Sequence, residues 1–195
     1  MSKKIVLLAL GALLAVPTVA VAATTKFHRF EVEGTANYVV DQACPDGTTT
    51  QLRVTVIGGH EEESENGEQT LDSDFLTVLL RGFDCDGNFV NDRAIGEGEF
   101  TWSPSLQTAS VTGTVTSRDG RVIDVDLRWE GMGPLEVTQN TTTFPGFTGH
   151  FTGRERDAVA TGTVVVDGET IVDGSTTNAS LESLEDDNVS TGAGA

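Results

Sequence analysis

The sequence has few cysteines, few basic residues and few of the larger aromatic residues. Two cysteines, one tyrosine and two tryptophans occur in 195 residues, and 12 basic residues face 30 acidic ones. Two cysteines without a Cys-x-x-Cys spacing make a poor metal site by themselves. Because so acidic a surface repels phosphate backbones and anionic lipids, we expect neither nucleic acid nor an anionic membrane as a partner.

Long apolar runs are absent except at the N-terminus. Lys3 and Lys4 precede an apolar run over residues 5–16, Pro17 ends it, and residues 20–22 have a small-x-small pattern. These features predict a signal peptide over residues 1–22, cleaved before Ala23, and hence a secreted or periplasmic protein. No later run reaches the roughly 20 apolar residues of a membrane helix. The few tyrosines and tryptophans also count against the aromatic girdles of an outer-membrane barrel, so we predict no membrane insertion.

Helical patterns are missing as well, and residues 27–173 alternate in polarity with the period of half-buried strands. Asp-Gly pairs, which favour hairpin turns, begin at Asp46, Asp86, Asp119 and Asp167. Glycines recur on the apolar face, where they permit tight coiling. We predict an all-β domain over residues 23–174, either a single antiparallel up-and-down barrel of about 8–10 strands or a curled β-sandwich. Residues 175–195 are polar and acidic, which predicts a disordered tail.

The two cysteines lie in equivalent positions along this pattern. Cys44 and Cys85 each come just before an Asp-Gly turn, and in a meander both turns fall at the same end of the sheet. We therefore predict a Cys44–Cys85 disulfide in an oxidising compartment. A long acidic loop is expected at the other end, carrying a run of solvated glutamates: Glu61, Glu62, Glu63, Glu65 and Glu68.

Two groups of residues are candidate metal ligands. The first is the turn at Asp84, Asp86 and Asn88 with nearby Asp92, whose oxygens suit calcium, although an ordinary polar turn is the favoured interpretation. We accordingly predict no cofactor, with calcium as the alternative. In the second group, pairing about the first turn sets Val32 opposite His60, and His28 shares the same face. These two histidines could converge with Glu61 or Glu63 on zinc or copper, although strand-end histidines are more often polar rim. His150 is expected on the surface.

Catalytic motifs are scarce, since no nucleophile elbow or phosphate-binding loop is present. Inward parity places Asp92 among apolar neighbours, with Arg81 as a second candidate, and a carboxylate there could act as an acid or base. Asp92 also lies near a strand end, and an ordinary side chain that faces water is the favoured interpretation. This pair is the basis of one alternative, a barrel enzyme of the isomerase or cyclase type. The scarcity of motifs otherwise favours a protein that is not an enzyme.

Our leading hypothesis is a non-enzymatic exported binding protein for a small apolar or cationic ligand. Inward-facing aromatic side chains would line its pocket or fill it: Phe30, Tyr38, Phe100, Trp102, Trp129 and Phe151. A third hypothesis is an extracellular structural module that uses the polar tail as a tether. No protein partner is specified by the sequence.

Overall fold

The structure is a computed structural model that describes residues 24–191. The predicted signal peptide, its cleavage position before Ala23 and residues 192–195 lie outside this range. Residues 24–191 form ten β-strands and no helix, which confirms the all-β prediction. None of this range therefore forms a helix that could cross a membrane. The strands are β1 (Thr24–Ala43), β2 (Thr49–Glu65), β3 (Glu68–Phe83), β4 (Phe89–Gly96), β5 (Glu99–Trp102), β6 (Thr108–Thr116), β7 (Val122–Gly131), β8 (Glu136–Phe144), β9 (Phe147–Val166) and β10 (Glu169–Thr191).

All ten strands belong to one antiparallel sheet in the order β4-β3-β2-β1-β10-β9-β7-β6-β5, with β8 also paired to β9. The four Asp-Gly pairs all lie in the connections between strands, as predicted. Strands β4 and β5 keep one register against β6, since Ala94 bridges Ser117 and Glu99 pairs with Thr112. They are two halves of one interrupted strand. The sheet therefore curls until its two edge strands, β4 and β5, lie end to end beside β6. In the described residues no continuous hydrogen-bond ladder joins these two edges, so the sheet is not fully closed.

Alternate residues of the curled sheet point into a single apolar core. Val32, Ala36 and Tyr38 are buried along β1, and β2 pairs with it in the predicted register, with Val32 opposite His60. Burying each large apolar side chain contributes roughly 1.5–3 kcal/mol, so this face of the sheet drives its curling.

Trp129 on β7 lies at the centre of this core and is fully buried. Its indole packs directly over Gly34, where an added Cβ would lie only 2.9 Å from the ring. The indole Nε1 donates a hydrogen bond to the carbonyl oxygen of Thr35 at 3.0 Å. Glycine on the core side of β1 thus gives the largest side chain of the core its space.

The predicted disulfide between Cys44 and Cys85 is present, with Cα atoms 5.3 Å apart. It ties the β1–β2 turn to the β3–β4 turn, so these two Asp-Gly turns lie at the same end of the sheet. A structural disulfide is typical of an oxidising environment.

The predicted acidic loop is instead a hairpin. Strand β2 continues to Glu65 and β3 begins at Glu68. Between them, Asn66 and Gly67 have φ angles of 54° and 84°, which suit a tight two-residue hairpin turn. Cross-strand pairing satisfies the backbone, and the acidic side chains remain near water on either face.

The predicted disordered tail is also wrong for residues 175–191, which belong to strand β10. This strand pairs with β1 on one side and with β9 on the other. Leu181 is fully buried and Ser183 is buried two residues later. The polar composition of this segment indicates disorder. However, β10 forms backbone hydrogen bonds with a strand on each side, so few buried apolar side chains are enough to hold it in the sheet.

Six strands continue past the apolar core as a sheet extension, in the order β3-β2-β1-β10-β9-β8. One face of this extension continues the buried face, and we call it the core face; it carries Phe30 and His60. The opposite face, which we call the outer face, carries Glu31 and Leu184. Side chains on both faces of the extension are partly exposed to solvent.

Candidate functional site

A cleft of about 460 Å³ lies on the outer face of the extension. Phe151, Gly153 and Leu184 contribute apolar surface to it, and Arg154 also reaches its lining. Five glutamates complete its walls, and we call this site the glutamate cleft: Glu31, Glu33, Glu136, Glu155 and Glu182.

Four of these glutamates form a straight row across four strands. Glu33 pairs with Glu182, Glu182 with Glu155, and Glu155 with Glu136. Adjacent strands lie about 4.8 Å apart, so the row spans roughly 14 Å. Like charges directly opposite each other destabilise a sheet. At the dielectric constant of water each neighbouring pair costs about 1 kcal/mol before salt screening.

The protein supplies little compensation for this charge. Among the ion pairs of residues 24–191, none involves the four glutamates of the row. Glu31, just outside the row, is bound by Arg29 at 3.1 Å. Burial raises the pKa of Glu33, and the charges of Glu182 and Glu31 raise it further. No ion pair of the described residues therefore neutralises the four carboxylates of the row.

The predicted ligand-lining aromatic residues divide into two groups. Phe100 and Trp129 are buried in the core, and their rings lie 6.5 Å apart. Trp102 packs against both Phe30 and Phe100, with ring centroids about 6 Å apart. Tyr38 is buried as well. These five side chains fill the interior of the sheet and contact each other or their apolar neighbours.

Phe151 lies on the opposite side of the sheet from the other five. The inward parity expected for it is wrong, because β9 is one strand of 20 residues whose buried side chains all have even numbers: Arg156, Ala158, Ala160, Val164 and Val166. An odd-numbered residue such as Phe151 therefore points outward. There it forms part of the glutamate cleft.

His28 and His60 do not converge. His28 Nδ1 lies 2.8 Å from Asp187 Oδ1 across the β1–β10 pair, whereas His60 Nδ1 lies 2.7 Å from Asp74 Oδ1 across the β2–β3 pair. Burial lowers the pKa of His60, but hydrogen bonds and charge from Asp74 and Glu62 outweigh burial and raise it.

Glu61 and Glu63, the expected co-ligands of these histidines, lie on the outer face. There Arg29 binds Glu61 at 2.7 Å and Glu63 at 3.7 Å. His150 is exposed, as expected. The predicted grouping of His28 and His60 with Glu61 or Glu63 is therefore wrong, and these two histidines have other carboxylate neighbours.

The candidate calcium turn is occupied by its own hydrogen bonds. Asp84 Oδ1 accepts backbone N–H groups of Asp86 and Asn88 at 3.0 and 2.8 Å, and Oδ2 accepts the Asn88 amide. Hydrogen bonds from the side chain and backbone of Asn88 lower the pKa of Asp84. Asp92 lies four residues further along β4, about 13 Å from the turn. The geometry favours the polar turn over a calcium site.

Asp92 and Arg81 lie on opposite faces of the sheet. Asp92 is buried, with Oδ1 accepting the backbone N–H of Arg93 at 2.8 Å. Arg81 is exposed and pairs with Asn91, the outward neighbour of Asp92. Asp92 and Arg81 therefore do not meet inside the sheet, and the prediction on which the enzyme alternative depended is wrong.

The glutamate row was missed because three of its members come from strands whose order the sequence did not reveal. Glu33 falls in the region where alternation predicts strands, but Glu182 falls in the segment predicted to be a disordered tail. Alternation alone cannot pair β1 with β10, since their pairing depends on the whole topology. The sequence offers no clear signal here, because only the structure shows that Leu181 and Ser183 are buried and that residue 182 between them points outward.

Comparisons with known proteins give little help with this site. No protein-family model matches the chain, and no curated protein matches it. Among solved structures, the chain is similar to a candidate AttH protein of Nitrosomonas europaea, at 13% sequence identity and a TM-score of 0.25. The match covers 85% of this chain and 52% of that one, so the chain spans about half the length of the matched structure.

Proposed function

We propose that this chain is an exported, non-enzymatic binding protein that holds a small organic polycation in the glutamate cleft. A linear polyamine is the chemical class that fits best. The observation that carries the proposal is the row of four glutamates, one from each of four adjacent strands.

Charge and spacing both support a polyamine. Each ammonium group that lies between two neighbouring glutamates turns a repulsive pair into an attractive contact. Amines separated by three or four methylene groups have a spacing similar to that of adjacent strands, so a linear chain follows the row. The methylene groups would contact Leu184 and Phe151, whose apolar surfaces border the glutamates.

Other features favour this cation over the alternatives considered above. The interior aromatic residues pack against one another, which argues against an apolar ligand in the lumen. Residues 175–191 belong to β10, so the structural-module hypothesis loses the support that a disordered tail would have given it. The disulfide supports an oxidising compartment, so a secreted or periplasmic location is part of the proposal.

The test is isothermal titration of the mature protein with spermidine at low and moderate salt. We expect saturable binding of one spermidine per chain that weakens as salt rises, since screening reduces exposed ion pairing. A double variant, Glu155→Gln with Glu182→Gln, removes the two central carboxylates. Its affinity should fall about tenfold or more, because each lost contact is worth about 1 kcal/mol.

The matched control is Glu97→Gln with Glu99→Gln, which removes the same charge from exposed positions outside the cleft. This control should bind spermidine as the unaltered protein does. Equal losses in both double variants would mean diffuse attraction to an acidic surface, and the proposal would then be abandoned. Failure of the unaltered protein to bind at low salt would have the same consequence.

A further inference from the structure

Four metal-ligand side chains form a square on the core face of the β2–β3 hairpin. His60 pairs with Asp74, and Glu62 pairs with Asp72 on the adjacent register position. Residues two apart on a strand share a face, so all four side chains project to the same side. This square lies on the opposite face of the sheet from the glutamate cleft and uses none of its residues.

His60 is the unusual member of this square. Its side chain is only 9% exposed and its ring stacks on Trp102, with centroids 4.8 Å apart. The Nε2 atom is buried and has no well-aligned hydrogen bond to any residue in 24–191. It faces Glu62 Oε1 at 3.4 Å and Asp72 Oδ1 at 3.9 Å. A buried polar atom without a partner is costly unless something else binds it.

Asp74 fixes the orientation of the imidazole ring. One of its oxygens lies 2.7 Å from His60 Nδ1, and the other accepts the backbone N–H of Phe100 at 2.9 Å. A carboxylate can only accept, so Nδ1 carries the proton of this hydrogen bond and Nε2 is the ring nitrogen left to bind an ion beside Glu62 and Asp72. Metal-binding histidines are commonly oriented by a carboxylate on their other nitrogen in this way.

We infer that His60, Glu62 and Asp72 bind a divalent transition-metal ion of the zinc and copper class, with Asp74 as the positioning residue. Ligand atoms of a tetrahedral zinc site lie about 3.3 Å apart, given metal–ligand bonds of about 2.0–2.2 Å. The 3.4 Å distance from Nε2 to Glu62 already matches this spacing. Asp72 is 55% exposed, so its carboxylate is free to move closer.

The second histidine group lacks the features that support this assignment. His28, Glu185 and Asp187 also lie close enough together to hold an ion. However, the side chains of His28 and Asp187 are 37% and 52% exposed, so water can satisfy both of them. This difference makes His28 the natural control.

The test is competition between the metal-free mature protein and a chromophoric chelator for Zn²⁺. We expect one Zn²⁺ per chain with micromolar or tighter affinity. His60→Gln should weaken binding about 100-fold, and Glu62→Gln with Asp72→Asn should weaken it by a similar factor. His28→Gln should leave the affinity unchanged. Asp74→Asn should weaken it about 10- to 100-fold, as expected for a residue that orients a ligand.

A second readout uses Cu²⁺ quenching of tryptophan fluorescence, because Trp102 stacks on the proposed ligand. His60→Gln and the carboxylate double variant should abolish stoichiometric quenching, and His28→Gln should not. Glu62 and Asp72 are partly exposed, so their double variant should fold. It therefore tests the metal site even if His60→Gln fails to fold. Equal Zn²⁺ affinity in that double variant and the unaltered protein would overturn the inference, as would weak binding of several ions per chain. The glutamate-cleft variants should bind Zn²⁺ normally, so the two proposals fail independently.

Discussion

Removing the disulfide should destabilise the protein by about 4 kcal/mol. The cross-link joins Cys44 to Cys85, with a sequence separation of 41. In the chain-entropy description, closing a loop of that length in the unfolded chain removes about 13 cal/mol/K, or about 4 kcal/mol at 25 °C. For a protein of this size, that loss corresponds to a melting temperature roughly 8–16 °C lower.

The assay is urea unfolding of the double variant Cys44→Ala with Cys85→Ala, compared with the unaltered protein before and after reduction. Reduction changes no side-chain packing beyond the sulfur atoms, so the reduced protein and the variant should agree. Both should also show a larger dependence on urea, because the unfolded chain without the cross-link exposes more surface. A loss below about 1 kcal/mol would refute the reasoning, since it would mean that the unfolded chain already keeps the two turns together.

Three further predictions concern the core and the cleft. Gly34→Ala should cost about 1–3 kcal/mol in urea unfolding, because the new Cβ would overpack the buried indole of Trp129; an unchanged midpoint would contradict the packing described. Burial raises the pKa of Tyr38 to about 12, and since the chain has one tyrosine, ultraviolet titration reports it alone. A titration midpoint near 10 in the folded protein would contradict that burial. A midpoint near 12 means that the free energy of unfolding falls as pH rises from 10 to 12, because the folded protein holds the phenol proton more tightly than the unfolded chain does. The raised pKa of Glu33 means that its ionised form is disfavoured in the folded state. Glu33→Gln should therefore stabilise the protein at neutral pH, and the gain should vanish below about pH 4, where Glu33 is protonated in both states; a gain that persists in acid would argue against the charge explanation.

The sequence was sufficient to predict strands where alternation and turn chemistry agreed. Val32, Ala36 and Tyr38 have the expected inward parity, and the Cys44–Cys85 disulfide followed from two Asp-Gly turns. The predicted acidic loop is wrong because residues 66–67 form a hairpin turn. Asn66-Gly67 is as strong a hairpin signal as the Asp-Gly pairs, but it is surrounded by glutamates whose charge indicated a loop.

The candidate sites were less predictable than the strands, because a site depends on which strands are neighbours. His60 was a candidate ligand, but its partners Asp72 and Asp74 become visible only when residues 68–75 are recognised as a strand. Phe151 was assigned to the wrong face because the length of β9 was not known. An error of one residue in strand phase moves a side chain across the sheet.

The pairing of the first described strand with the last has a consequence for folding. Thr24 lies opposite Thr191, and the pairing continues to Ala36 and Ala179. Strand β1 therefore lacks one of its two neighbours until residues 179–191 have been synthesised. Proteins dominated by such distant contacts fold slowly, because the entropy of closing a long loop is lost before the contacts form. A chain with this topology leaves one edge of β1 open until β10 is available to pair with it, so β10 completes the sheet last.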